Sequence, residues 1–283
     1  MSFYDNKGSL FMYSDIKLKD INMAWLRQSD HFDPDGLKYS LNVPVIGIAA
    51  EMGQHDSGFH QHDMGQLLFT QQGCIKITLA NQLSILPPTR VAWIPPKTLH
   101  RAEMRGSVGY RSIYLDISGI EWISRQSEIL QTTPLLRVIL ERIAISPFDT
   151  DWRQGKGAHL LAVFFDEMSD AGKEPTLLPL PSDRRLARLP FEQFPPPLQI
   201  LATHVGASEK TITRIFLRET GMNYQQWRQQ WRLIKAIELL AQDKTLSYVA
   251  QELGFANDSA FVTFFRKNMG RPPREYMAGA CRR

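Results

Sequence analysis

Three histidines and one amide have the spacing most suited to a reactive or binding site. His60 and His62 stand two apart in Phe59-His60-Gln61-His62, and on a strand such a pair shares one face. Gln66 opens the next apolar run, and His100 closes the proline-rich segment Trp93-Ile94-Pro95-Pro96-Lys97-Thr98-Leu99-His100. A return of that segment beside the first brings three imidazoles together with Gln66 at their side. Three imidazoles can hold a divalent Zn, Ni or Fe ion. The same groups can instead be hydrogen-bonding members of a ligand pocket, and a neutral amide balances metal charge less well than a carboxylate. His31, His55, His159 and His204 have no such grouping. Alternation alone adds Trp93 and Tyr114 as pocket-lining residues. The two cysteines, Cys74 and Cys281, exclude a disulfide scaffold and fit a reducing cytoplasm. Cys74 reads as a small buried residue, with redox sensing as the alternative.

The second candidate chemistry is electrostatic. Residues 1–182 carry a net charge of −3 and residues 183–283 carry +7. A basic tail behind an acidic front is expected when only one domain meets a polyanion. No apolar run is long enough to span a membrane, and the first residues lack the apolar core of a secretory signal.

The elements that must position these groups fall into two blocks. Short runs rich in β-branched and aromatic residues predict strands at Val43–Ala50, Gln66–Gln71, Cys74–Ala80, Gln82–Leu86, Arg90–Ile94 and Val108–Asp116, separated by turn signals such as Gln72-Gly73 and Pro87-Pro88. Such spacing predicts an antiparallel sandwich or barrel. Helical periodicity follows at Leu135–Ile143, with Thr132 or Thr133 as cap and Pro134 in the first turn, and again at Leu160–Met168. These two helices are expected to flank the barrel and to pair two copies of the chain. Seven of the 17 prolines lie between Gly172 and Pro197, so 172–197 reads as a linker between an effector-sensing domain at 1–171 and a helical domain at 198–283.

The last hundred residues contain a repeat. Ala202-x-x-x-Gly206 matches Ala250-x-x-x-Gly254, and Ile212 and Phe216 match Phe261 and Phe265. In each copy a short helix ends at a glycine that permits φ > 0, and a capping residue, Ser208 or Asn257, opens the next helix. That is a helix-turn-helix, here at 198–219 and 246–268. Between them Asn223 caps a run whose apolar stripe holds Trp227 and Trp231. It is about 27 Å long, enough to set two recognition helices about one DNA turn apart. Both tryptophans read as core; stacking on single-stranded bases is the weaker alternative.

Gly221 through Leu240, Ala250-x-x-x-Gly254-Phe255 and Gly270-Arg271-Pro272-Pro273-Arg274-Glu275-Tyr276 together resemble the AraC/XylS family of bacterial transcription regulators. The resemblance implies an all-α DNA-binding domain with two helix-turn-helix units bridged by a long helix. Carried over by position, Lys210, Thr213 and Arg214 face base edges in the first unit, and Asp258, Ser259, Val262 and Thr263 do so in the second. Arg214 suits a bidentate contact to guanine. Thr211, Arg218, Arg266 and Lys267 serve the DNA backbone. Many members carry Arg where this chain has Thr263, so guanine reading by the second unit is not implied. The helix that usually precedes the first unit is replaced by the Pro-broken stretch Leu189–Pro195.

The front block resembles the cupin fold, with His60-x-His62 followed by Gly73 as one motif and the Pro-rich segment ending in His100 as the other. Cupin enzymes bind metal through three His and a Glu, and Gln66 stands here where that Glu would be. The overall expectation is an α+β chain of two domains, a cupin-like β-barrel with flanking helices and a helical DNA-binding domain. It is a non-enzymatic cytoplasmic regulator of promoter DNA, controlled by a small-molecule or metal effector and acting as a homodimer, with RNA polymerase as a further partner. The alternative is a metal-dependent cupin oxygenase or isomerase with an added helical domain. An RNA-binding or architectural role lacks the aromatic-rich strand motifs it needs.

Overall fold

The computed structural model describes residues 25–26, 34–35, 43–79, 81–174, 176–186 and 194–278. Its strands are β1 (Trp25–Leu26), β2 (Val45–Met52), β3 (His55–Asp56), β4 (Gly65–Thr70), β5 (Ile75–Leu79), β6 (Gln82–Leu86), β7 (Arg90–Ile94), β8 (His100–Met104), β9 (Val108–Leu115), β10 (Glu128–Gln131), β11 (Lys173–Glu174) and β12 (Leu178–Pro179). They form two sheets, ordered β1-β2-β9-β4-β7-β10-β11 and β12-β6-β5-β8-β3. The six strands expected from sequence are present with ends shifted by two residues or fewer. The sequence reading lacks β8, because Arg101 and Glu103 alternate with buried His100, Ala102 and Met104 and hide its apolar face.

The sheets enclose a core that includes Leu68, Ile75, Ile77, Ile94 and Met104. On the other face of the larger sheet, Val45, Leu67, Phe69, Val91, Trp93 and Ile113 pack under helices α1 (Pro134–Ala144) and α2 (Gly155–Asp170). Strands β4 and β7 are therefore buried on both faces along their whole length. Thr133 caps α1 by accepting a hydrogen bond from the Leu136 amide, with Pro134 in the first turn.

Six helices make the second domain: α3 (Leu198–Val205), α4 (Glu209–Thr220), α5 (Tyr224–Ala241), α6 (Leu246–Glu252), α7 (Asp258–Met269) and α8 (Pro273–Ala278). Gly206 closes α3 at φ +64° and Gly254 ends the turn after α6 at φ +70°, backbone that a side chain would strain. Asn223 and Gln226 form a reciprocal capping box on α5. Trp227 and Trp231 are buried in one core with Phe216, Phe261 and Phe265 and are not available to stack on bases.

Within 172–197, Lys173–Glu174 pairs with β10 and Leu178–Pro179 pairs with β6, so this stretch adds one edge strand to each sheet before it crosses to the helices. Residues 189–193 of the Pro-broken stretch, His31 and Cys281 lie outside the described residues. Phe194 lies beneath the guanidinium groups of Arg228 and Arg232, 4.8 and 4.6 Å from its ring centre.

The domains share a buried seam. Cys74, Leu83, Ile85 and Leu178 of the smaller sheet belong to the same apolar cluster as the face of α5. The Trp227 indole N–H donates to the Pro179 carbonyl at 2.7 Å. At the sheet edge Glu174 is ion-paired with Arg90, both side chains 4% exposed, and accepts from the Tyr276 hydroxyl of α8 at 3.2 Å. The Arg90 guanidinium lies 4.4 Å from the centre of the Tyr276 ring. Burial pushes the Tyr276 phenol well above its ordinary range, so it stays protonated and donates. Burial likewise raises the Cys74 thiol to about 12, as fits a small buried residue. Removing one member of a buried ion pair strands the other. Glu174→Ala is therefore expected to lower unfolding free energy by about 3–5 kcal/mol, and Tyr276→Phe by about 1 kcal/mol. Urea denaturation checks both, and equal small losses would contradict a buried pair.

Candidate effector site and nucleic-acid interface

The histidine site is built from two crossing segments. His60 and His100 exchange both main-chain hydrogen bonds at 2.9 Å as an isolated antiparallel bridge, so His60 enters from a loop rather than from a full strand. His62 follows on the same side. Ring centres lie 4.2 Å apart for His60–His100, 5.1 Å for His62–His100 and 6.1 Å for His60–His62. One ring nitrogen of each lies within 4.8 Å of those of the others. The sequence-derived trio thus comes together as expected, with His62 and His100 buried.

Main-chain carbonyls set the tautomers. Nδ1 of His60, His62 and His100 faces the carbonyl of Gly58, Met64 and Thr98 at 3.1, 2.6 and 2.8 Å. A carbonyl only accepts, so each Nδ1 carries a proton, and the neutral rings of His62 and His100 keep a lone pair on Nε2. The His100 Nε2 is buried without a partner. Burial, followed by the like charges of His60 and His62, pulls the His100 imidazole down to about 3, and burial lowers His62 as well. Both are neutral at ordinary pH.

Gln66 extends the site along β4. Its amide nitrogen lies 2.9 Å from Ser112 Oγ and 3.1 Å from Tyr114 Oη, and its Oε1 faces His62 Nε2 at 3.3 Å. With the proton on Nδ1, that last pair is two acceptors. A cation between them, or an amide turned by half a rotation, satisfies both. Tyr114 pairs with Gln66 across the sheet and stands edge-on to His62, with ring centres 5.0 Å apart. Trp93 does not join it. Its cross-strand partner is Leu67 rather than Gln66, so its ring lies on the opposite face, under α2, with Nε1 donating to the Ser124 carbonyl.

In the second domain, α4 and α7 occupy equivalent places. Ser208 caps α4 through the Thr211 amide and also meets the Thr211 hydroxyl at 2.9 Å. Ile212, Ile215 and Phe216 turn inward, Lys210 and Arg214 are exposed, and Thr211 and Thr213 are half-buried. Arg218 is exposed but lies 2.5 Å from Glu219 and 3.6 Å from Asp183. Hydrogen bonding to Arg218, helped by the amides of Ser182 and Asp183, lowers the Glu219 carboxyl. This end of α4 thereby anchors the incoming chain.

Asn257 caps α7 through the Ala260 amide. Ser259, Thr263, Arg266 and Lys267 are exposed. Asp258 and Val262 are half-buried: Asp258 accepts from the Ser247 hydroxyl at 2.7 Å, and Val262 packs against the core. Exposed basic residues on both helices suit phosphate contacts. The sequence reading did not include the Arg90–Glu174–Tyr276 cluster, whose bonded pairs are 84 and 102 positions apart, and no local spacing signals it.

Comparison with known proteins agrees with this division. A family model described as "AraC-like ligand binding domain" matches residues 42–177, and one described as "Helix-turn-helix domain" matches 201–279. The HTH-type transcriptional regulator NimR of Escherichia coli (strain K12) is 29% identical over 252 residues, 87% of this chain and 91% of that protein. The HTH-type transcriptional regulator RipA of Corynebacterium glutamicum is 34% identical over 108 residues, 36% of this chain and 32% of that protein. The crystal structure of ToxT from Vibrio cholerae O395 overlays with a TM-score of 0.34 at 12% identity, covering 84% of this chain and 98% of that one.

The carbonyl contacts make a spectroscopic prediction. Long-range ¹H–¹⁵N spectra of metal-free protein at neutral pH should show His62 and His100 as Nδ1–H tautomers. An Nε2–H pattern at either residue would contradict the geometry.

Proposed function

The chain belongs to the AraC/XylS family of DNA-binding transcriptional regulators, and from this we propose that its barrel histidines form the effector site that sets how the two recognition helices engage promoter DNA. Both domains and the relatives are those of regulators rather than enzymes. Among the described residues no helix is long and apolar enough to cross a membrane. The proposed place of action is the cytoplasm, where promoter DNA is available.

The observation that supports a metal effector is the uncommitted Nε2 of buried His100 beside two further imidazoles whose Nδ1 protons are already engaged. Carbonyl-anchored imidazoles are what orients histidine ligands. His60, His62 and His100 would hold a borderline-soft divalent ion, and Gln66 would lend a neutral oxygen. A bound ion would supply positive charge to neutral groups, and a small polar molecule could then join it. A polar organic effector hydrogen-bonded to the same groups is the second reading, supported by the Gln66–Ser112–Tyr114 cluster.

At the DNA, α4 and α7 enter successive major-groove segments, with Lys210, Thr213 and Arg214 on bases from the first and Ser259 and Thr263 from the second. Asp258 and Val262 contribute at the margin of the second surface. Thr211, Arg218, Arg266 and Lys267 meet the backbone. A second copy pairs through the outer faces of α1 and α2, where Leu135, Val138 and Val163 are exposed, and RNA polymerase is the partner such a regulator meets at a promoter. Effector control requires that effector affinity differ between two arrangements of the domains.

Two measurements test this reading. Calorimetry with Zn²⁺ or Ni²⁺ should show one ion bound per chain, lost in His100→Ala; equal binding by the variant would remove the histidine site from the proposal. In gel shifts against the site selected by this protein from random duplex, Arg214→Ala should weaken binding by about 1–3 kcal/mol and relax preference at one base pair. Arg218→Ala should weaken all sequences alike. Uniform loss in both would show that Arg214 contacts phosphate.

A further inference from the structure

The structure holds a cleft outside the barrel. It has a volume of about 240 Å³ and opens between α2 and the end of the larger sheet formed by β7, β10 and β11. Trp93, Trp122, Phe165 and Met168 line it, and its polar end carries Glu128 and Lys173, ion-paired at 2.7 Å. Trp122 stands edge-on to Phe165, with ring centres 5.7 Å apart, yet is 53% exposed, an unusual position for the largest apolar side chain. Aromatic walls accept flat rings in edge or stacked contact, and the thioether adds a favourable sulfur–ring contact. An engineered apolar cavity of about 150 Å³ accommodates benzene, so this cleft has room for a fused bicyclic ring.

On the back of the same strands Ala92 and Ile129 pack into the barrel core, and at the end of that face Arg90, Gln131 and Glu174 meet Arg271 and Tyr276 of the DNA-binding domain. Leu130 and Lys173 are cross-strand partners facing the cleft. Their chain neighbours Gln131 and Glu174 point to the other side, because strand side chains alternate. Glu174 there holds Arg90 and Tyr276, and Gln131 accepts from Arg271 at 3.3 Å. β11 is only two residues long and lies at the sheet edge, so a wedge under α2 displaces it without breaking the barrel.

We propose that this cleft is a second effector site, for a small flat aromatic molecule with one hydrogen-bonding edge, and that its occupancy is transmitted through β11 to the Arg90–Glu174–Tyr276 contact and so to DNA affinity. The coupling is a property of two faces of one sheet and does not use the histidines. Only its DNA arm rests on the DNA-binding function described above.

Indole is the probe. Calorimetry on the full chain should show one saturable site. Ala171→Phe, which fills the cleft, should abolish it, and Trp122→Ala, at an exposed position, should weaken it about fivefold. EDTA treatment, which strips the barrel site, should leave indole binding intact. In anisotropy titrations with a labelled duplex carrying the selected site, saturating indole should shift the wild-type midpoint about fivefold or more, while Tyr276→Phe binds indole and shows almost no shift. Absence of saturable binding, equal binding by wild type and both cleft variants, or loss of binding with EDTA overturns the site. An unshifted wild-type midpoint, or a full shift in Tyr276→Phe, overturns the coupling.

Discussion

The carboxylate of Glu174 is buried, and a buried charge must be neutralised where it stands. Its partners come from both domains: Arg90 from the middle of the larger sheet and the Tyr276 hydroxyl from the last helix. Because neither domain alone satisfies all three groups, the sheet edge and α8 are held in one arrangement. The apolar seam between α5 and the smaller sheet supplies area, but area is non-directional. The ion pair and its phenol give the contact a defined geometry, and the indole of Trp227 on Pro179 fixes it at a second point.

That constraint gives the molecule a way to connect sensing with DNA reading. Helix α5 is at once the spacer between α4 and α7 and the face docked on the barrel. Both α4 and α7 therefore share one apolar core with the helix that also meets the barrel. The region connecting the domains is itself structured at its start, since β11 and β12 belong to the two sheets. Glu219 then ties residues 182 and 183 to the end of α4. A displacement at the sheet edge thus meets two attachment points before it reaches solvent-exposed surface.

The barrel interior uses a different physical device. Main-chain carbonyls, not carboxylates, orient the three imidazoles, so no negative charge is stored beside them. Gln66 in place of an acid keeps the site neutral.

Much was legible in the residues alone. Thr133 with Pro134, the capping box at Asn223, and the glycines at 206 and 254 are local signals, because caps and left-handed turns are settled within four or five residues. The His60–His62 spacing and the return of His100 pointed to the histidine cluster, since a two-residue spacing and a Pro-rich turn act at short range. The face of Trp93, the strands β10 and β11, and the half-buried state of Asp258 and Val262 were not legible. Each depends on which strand or helix lies opposite. Residue order was therefore enough to fix the two-domain fold and most of its elements. The meeting of Arg90, Glu174 and Tyr276, and the cleft behind them, came from three-dimensional packing. Burial and cross-strand register are set by neighbours dozens of positions away, which no local pattern encodes.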